Sequence, residues 1–171
     1  PSVPKSLILV GGPIDTTQQP TVVNELATNR GDEWFKQNSI SVVPARYPGH
    51  MRLVYPGFMQ LSGFMSMNIE RHMQSLAGAV KHYAEGDRAN ALKTIKFYSE
   101  YFATMDLTAE FYMQTMNTVF QERLLLQGRI KLRGKYAELK DIKRTALLAI
   151  EGGKDDITGV GQTKSALTLC K

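Results

Sequence analysis

The stretch TALLAIEGGKDD, residues 145–156, decides the fold of this chain. Its first half, 145–150, is a run of mainly apolar residues that stops at EGG, 151–153, as a buried strand stops before a loop. Strands without polar alternation belong to parallel sheets that are covered on both faces. We therefore predict an α/β fold with a buried strand at 145–150, followed by a loop that carries Asp155 and Asp156.

A second strand of the same kind is predicted at residues 6–10 (SLILV), and it stops at GGPID, residues 11–15. Residues 16–140, between the two strands, are predicted to form a mainly helical insertion. Two strands cannot complete a parallel sheet, because such a sheet needs neighbouring strands and covered faces. We therefore expect the rest of the sheet to come from sequence outside this chain, which reads as starting part-way through a longer gene.

The insertion carries apolar stripes with helical spacing. A short helix is predicted from Pro20 to a stop at Gly31, and three longer ones follow, of which the first closes at Gly86 and the third begins after Thr108. We interpret the long stripes as packed helix core, because Met fills irregular gaps well. Their members are Met65, Ile69, Met73, Leu76, Val80 and Tyr83; Ala91, Ile95, Tyr98, Phe102 and Met105; and Tyr112, Met116, Val119 and Phe120.

Other segments are punctuated by glycine and proline. Residues 41–63 predict an ordered, aromatic-rich loop with short helical turns, since three prolines and three glycines interrupt them. Residues 129–137 predict a small hairpin with Gly134 at its turn. A helix is predicted at 161–169.

Composition limits the class of protein. The 171 residues are 43% hydrophobic and 22% charged, which is typical of a globular domain, and no apolar run reaches the roughly 18 residues of a membrane span. We predict a soluble, cytoplasmic protein without a membrane partner, in line with a single cysteine, Cys170. The net charge of +5 is spread along the chain, and no nucleic-acid partner is predicted because aromatic residues do not interleave with the basic ones.

Candidate catalytic residues lie after the second strand. In α/β hydrolases the triad acid stands on a loop at the carboxyl edge of the sheet, often after a strand that ends in Gly-x-x-Asp, and Gly152 and Asp155 have that spacing. A turn role is the alternative, since Gly and Asp are common after strands. Asp15, after the first strand, occupies the same predicted sheet edge, and we expect it to serve a turn or helix entry.

The nucleophile and the histidine of such a triad are not found in this sequence. It contains no Gly-x-Ser-x-Gly elbow, and Cys170 follows Asp155, whereas the nucleophile precedes the acid in this fold. We interpret Cys170 as a structural thiol. His50, His72 and His82 all precede Asp155, although the fold needs its histidine after the acid; His50 is interpreted as a loop residue and the other two as solvent-facing. No cofactor and no metal site are predicted.

Several motifs, read in order, resemble the C-terminal region of the intracellular polyhydroxybutyrate (polyhydroxyalkanoate) depolymerases. They span nearly the whole chain and are GGPID (11–15), YPGH (47–50), YPGF (55–58), GFMSMN (63–68), EFYMQT (110–115), TVFQE (118–122) and TALLAIEGGKDDITGVGQT (145–163).

The resemblance implies that residues 1–171 are the C-terminal part of an α/β-hydrolase domain, a partial fold in which two sheet strands flank a helical cap at roughly 16–140. The catalytic-acid strand and loop would span 145–163, with Asp155 as the acid and Asp156 as the alternative. The implied activity is hydrolysis of polyester in cytoplasmic storage granules to 3-hydroxybutyrate oligomers or monomers. Nucleophile and histidine would lie outside this chain, which is expected to be inactive alone.

Other functions stay open beside this one. The Met-rich and aromatic helices suit a module that binds granules or another protein, or a cap that grips an apolar polyester strand with residues such as Tyr55. A polyhydroxyalkanoate synthase relative is the alternative within the enzymes. Unpaired strand edges also predict self-association into a homo-oligomer.

Overall fold

The computed structural model describes residues 3–170, which mix helices with short strands. The strands are β1 (Ser6–Val10), β2 (Ser41–Val42), β3 (Leu53–Tyr55), β4 (Leu107–Thr108), β5 (Lys131–Leu132), β6 (Lys135–Tyr136) and β7 (Ala146–Ile150). The α-helices are α1 (Val22–Asn29), α2 (Asp32–Ser39), α3 (Gly57–Met67), α4 (Ile69–Ala84), α5 (Arg88–Tyr101), α6 (Ala109–Thr115) and α7 (Ala166–Leu169), with a π-helix at Met116–Gln121 and a 3-10 turn at Leu139–Asp141.

The chain divides into two compact units. The first holds the described residues up to Lys36 and from Glu110 onward, and the second holds Gln37–Ala109. The sheet pair β1 and β7 belongs to the first unit, and the helices α3, α4 and α5 belong to the second. The predicted cap boundaries at residues 16 and 140 remain a prediction.

Both predicted strands of the first unit form, and they pair with each other. β1 and β7 run parallel with Ser6 opposite Ala146 and Val10 opposite Ile150. The prediction that they are buried is wrong for this chain: Ile8 is 58% exposed and Val10 69%. The physical reason is that, within residues 3–170, each strand has only the other as a neighbour in the sheet. Completion of the sheet by other sequence stays a prediction.

The hydrophobic core of the first unit lies between helices. Ala27, Phe35 and Met116 are almost fully buried and form this core, and Trp34, Tyr112, Met113 and Phe120 pack against it. The prediction that the third stripe is packed core is therefore confirmed. Phe35 comes from α2, a helix that sequence patterning did not predict, although Asp32 and Glu33 favour its N-terminus through the helix dipole.

In the second unit, α4 and α5 pack as an antiparallel pair, but the apolar stripe of α4 does not lie between them. Ala79 and His72 on α4 are buried, as are Ala91 and Tyr98 on α5. The stripe residues Met73, Val80 and Tyr83 are 60%, 70% and 63% exposed, and Ile69, Ile95, Phe102 and Met105 are exposed too. The interpretation of this stripe as packed core is wrong, because helical spacing shows which residues share a face and not which face meets a neighbour.

Three further predictions differ in detail. The segment 41–63 contains the antiparallel sheet β2-β3-β4 in part, and α3 already begins at Gly57, so the loop prediction is wrong there. The helix predicted across Met65–Tyr83 is interrupted at Asn68, whose φ of −148° is not helical. The hairpin of β5 and β6 is confirmed, with Gly134 at φ 81° in its turn, whereas the last helix is only Ala166–Leu169.

Candidate functional site

The carboxyl ends of β1 and β7 lie side by side, and the two loops that follow them are joined by hydrogen bonds. We call residues 11–19 and 151–165 the sheet-edge loops. The Thr158 and Thr163 hydroxyls donate to the carbonyls of Gly11 and Gly12 at 2.9 and 2.8 Å. Parallel strands place their following loops at the same edge, where α/β proteins bind ligands. The sequence prediction that both loops meet there is confirmed.

Asp155 is partly buried within the second sheet-edge loop, and its two carboxylate oxygens have different surroundings. Oδ1 accepts hydrogen bonds from the backbone N–H groups of Ile157 (2.8 Å) and Thr158 (3.0 Å). Within residues 3–170, Oδ2 accepts no hydrogen bond, and it lies so close to the end of β1 that a methyl group on Gly11 would be 3.7 Å from it. Hydrogen bonds thus hold Oδ1 in place, and Oδ2 keeps its capacity to accept a hydrogen bond. The neighbouring Asp156 is exposed.

Glu151, at the end of β7, holds the second loop from the other side. Its Oε1 accepts hydrogen bonds from the backbone N–H groups of Lys164 (2.8 Å) and Thr163 (2.9 Å), and both of its oxygens lie 3.0 Å from that of Gly161. These N–H groups, first of all Lys164 and Gly161, hold the pKa of the Glu151 carboxyl below its ordinary value. Sequence analysis did not single out this residue, because its partners stand ten or more positions away.

A buried amide joins the two sheet-edge loops. Gln162 is fully buried, and its Nε2 donates to the Gln18 carbonyl at 3.0 Å and to Asn24 Oδ1 at 2.8 Å. The backbone N–H of Asp15 donates in turn to the Gln162 carbonyl at 3.1 Å. Gly159 allows this close approach, since a Cβ there would lie 2.0 Å from the Gln19 carbonyl oxygen.

Asp15 has the turn role that the sequence predicted. Its carboxylate accepts hydrogen bonds from the backbone and hydroxyl of Thr17 and from Gln18 Nε2. Partial burial raises the pKa of the Asp15 carboxyl, but these hydrogen bonds and the charge of Arg123 outweigh it, so the pKa lies below its usual value. Arg123 reaches this loop through Thr16, a contact that no local pattern in the sequence indicates.

The histidines and the cysteine lie elsewhere. His50 is exposed, and the Nδ1 of the partly exposed His82 stands 3.3 Å from Asp87 Oδ2. The prediction that His72 faces solvent is wrong: it is 8% exposed, and its Nδ1 lies 2.9 Å from the Tyr98 hydroxyl, because this side of α4 faces α5. Cys170 is buried, as expected of a structural thiol, and burial raises its pKa.

Two further properties concern only the residues that the structure describes. Among residues 3–170, no group of three or more His, Cys, Asp or Glu side chains is arranged to hold a metal ion. No helix in that range has the length and apolar character needed to cross a membrane.

Comparison with known proteins identifies the family to which the mixed α/β fold and its sheet-edge loops belong. The family model described as PHB de-polymerase C-terminus matches residues 11–171. The chain therefore belongs to the PHB depolymerase C-terminus family, as the resemblance predicted. The match covers both sheet-edge loops, the whole second unit and Asp155. Neither the curated proteins nor the solved structures gave a match.

Proposed function

We propose that this chain is the acid-bearing and cap-bearing part of an α/β hydrolase that cleaves the ester bonds of polyhydroxybutyrate to 3-hydroxybutyrate oligomers or monomers. The observation that carries the proposal is the carboxylate of Asp155, which lies at the sheet edge and accepts two backbone hydrogen bonds with one oxygen, in a member of the PHB depolymerase C-terminus family. We propose that the protein acts in the cytoplasm at storage granules. No cofactor enters the proposed reaction.

The geometry of Asp155 suits a triad acid. Such an acid must be rigid and must offer one oxygen to the Nδ1–H of an imidazole, so that the ring keeps the correct tautomer and orientation. The backbone bonds to Oδ1 supply the rigidity, and Oδ2 is the oxygen that would accept. Asp155 is partly buried at the sheet edge whereas Asp156 is exposed, so Asp155 is the acid of the proposal.

In the proposed reaction, the imidazole takes the proton of a nucleophile that attacks the ester carbonyl, and water then releases the acyl group. We propose that the nucleophile and the histidine come from sequence outside these residues. Support comes from the sequence itself, since it contains no Gly-x-Ser-x-Gly and its three histidines all precede Asp155. The chain alone is then inactive.

The test compares this chain with a version extended in both directions along its gene, by release of 3-hydroxybutyrate from amorphous polymer. We expect activity only in the extended protein. There, Asp155→Asn should lower the rate by about 10⁴-fold, because the amide favours the wrong imidazole tautomer. Asp156→Asn is the matched control and should leave most of the activity. Equal effects of the two substitutions would contradict the assignment of the acid.

A binding module is the second candidate function, and the exposed apolar residues of the second unit favour it. Met73, Val80 and Tyr83 share a face of α4 that is open to solvent, which is unusual for side chains of this size in a packed domain. The same unit contains a cleft of about 650 Å³, a volume in the range typical of ligand sites. Its lining residues include Pro44, Arg46, Tyr47, Pro56, Phe58 and Asp106.

The extended protein and its Asp155→Asn variant also distinguish a hydrolase from a binding module or a synthase relative. If the extended protein releases no 3-hydroxybutyrate but binds polymer granules equally well with and without Asp155→Asn, the chain is a binding module. Release of coenzyme A from hydroxyacyl-coenzyme A would instead identify a synthase relative. Sedimentation of the same samples tests the proposed homo-oligomer.

A further inference from the structure

Arg123 occupies a backbone position that its own residue type does not favour. One residue, Glu122, separates Arg123 from the π-helix Met116–Gln121, and Arg123 adopts a φ of 53°, in the left-handed region. A residue with a Cβ is strained in this conformation, and glycine or asparagine adopts it more readily. Irregular π-type turns are frequent at functional sites. The side chain of Arg123 is therefore the feature that needs an explanation.

The Arg123 side chain is partly buried and is aimed at the first sheet-edge loop. Its Nε donates a hydrogen bond to the hydroxyl of Thr16 at 3.1 Å, and Thr16 is only 2% exposed. This bond uses one of the five N–H donors of the planar guanidinium and leaves the four on the two terminal nitrogens. Within residues 3–170, neither terminal nitrogen has a hydrogen-bond acceptor.

Asp15 does not pair directly with Arg123, although the charge of Arg123 contributes to the lowered pKa of the Asp15 carboxyl. The Asp15 carboxylate is already bonded to Thr17 and Gln18, and in the described part of the chain it forms no ion pair with Arg123. Arg123 thus keeps four N–H donors beside the first sheet-edge loop, and they form a fork that matches two oxygen acceptors.

We propose that Arg123 binds a carboxyl oxygen of the substrate at the sheet edge, holding the polyester strand or its product in register with the reacting ester. The inference rests on the proposed function, which supplies the ligand class. Two groups of a 3-hydroxybutyrate oligomer offer this acceptor: the carbonyl of an internal ester and the carboxylate at the chain end. A carboxylate matches the charge and can accept both N–H bonds, whereas an ester carbonyl accepts without charge assistance.

The test is a titration of this chain with the 3-hydroxybutyrate dimer and, separately, with the methyl ester of that dimer, followed by the side-chain Nε–H signals of the arginines in NMR spectra. Arg123→Gly removes the guanidinium and also relieves the left-handed backbone, so it should not unfold the protein. Arg123→Lys keeps the charge but loses the fork. Arg129→Gln is the matched control, because Arg129 is an exposed arginine whose guanidinium donates to the Gln127 side chain.

We expect dimer binding that is about tenfold to one-hundredfold weaker in Arg123→Gly, as for loss of a charge-assisted hydrogen bond, and less weakened in Arg123→Lys. Binding should be unchanged in Arg129→Gln. Tighter binding of the acid than of its methyl ester identifies the chain-end carboxylate, and equal binding identifies the ester carbonyl. No binding to wild type, or equal binding to wild type and Arg123→Gly, overturns the inference.

Failure of this inference and failure of the proposed function can be told apart. Asp155→Asn should leave dimer binding to this chain intact, since it changes no contact of Arg123. If hydrolysis by the extended protein survives Asp155→Asn while Arg123→Gly still loses dimer binding, the acid assignment fails and the binding residue stands.

Discussion

The contact between the two sheet-edge loops at Gly159 allows a prediction with a calculable magnitude. In Gly159→Ala the new Cβ would stand 2.0 Å from the Gln19 carbonyl oxygen, whereas ordinary contact begins at 3.4 Å. The loops must therefore separate by more than an ångström, and the hydrogen bonds of Gln162 to Gln18 and of Thr158 to Gly11, now 3.0 and 2.9 Å, would be lost with others beside them.

Each such bond contributes about 0.5–1.5 kcal/mol, so two or three of them predict a loss of about 1–4.5 kcal/mol in the free energy of unfolding. For a chain of this size, that loss lowers the melting temperature by about 2–18 °C. Urea unfolding followed by circular dichroism measures it. Gly153→Ala is the matched control, because a Cβ there meets nothing within 4 Å. A Gly159→Ala protein as stable as Gly153→Ala would refute the reasoning.

Two further predictions concern single hydrogen-bonded side chains. Glu151→Gln should cost about 1–2 kcal/mol at neutral pH, as loss of an N-terminal cap does. The pKa of Glu151 is lower in the folded state, so its contribution to stability is present above the unfolded pKa of about 4.5 and is lost as pH falls through the folded pKa. The stabilities of wild type and variant, measured by urea unfolding, should therefore converge in acid. An equal difference in stability at neutral and at acid pH would contradict this. Tyr98→Phe should cost about 1–2 kcal/mol, because it leaves the buried His72 without its 2.9 Å partner. Tyr83→Phe, at a 63% exposed position, should cost almost nothing in the same thermal melts, and similar losses in both would argue against a buried pair.

Several elements could be predicted from the sequence because each depends on a few adjacent residues. The strands β1 and β7 are short apolar runs that end at glycine, and their ends bring Gly11 and Asp155 to one edge as predicted. The β5-β6 hairpin follows from Gly134, which adopts the left-handed conformation of the turn. Family membership was also recognisable, since its motifs are contiguous and ordered along the chain.

The wrong predictions for α4 share one cause, which is that a periodic pattern does not say what a helix packs against. Met73 and His72 are neighbours on α4, and hydrophobicity alone placed the wrong one inside. The buried positions of α4 are instead occupied by the small Ala79 and by His72, which forms a hydrogen bond with Tyr98 on α5. Similarly, α2 was missed because its only large apolar residues, the adjacent Trp34 and Phe35, form no helical stripe, and their burial depends on the core that they enter.

The sequence by itself therefore determined the element types near the sheet, the family, and the candidate acid, because runs, spacings and turn residues act over a few positions. Tertiary structure alone decided which helix faces are exposed, that Glu151 caps residues 161–164, and that Arg123 meets Thr16 across 107 positions. These contacts depend on hydrogen bonds and packing between segments far apart in the chain, whose partners are chosen only when the whole chain has folded.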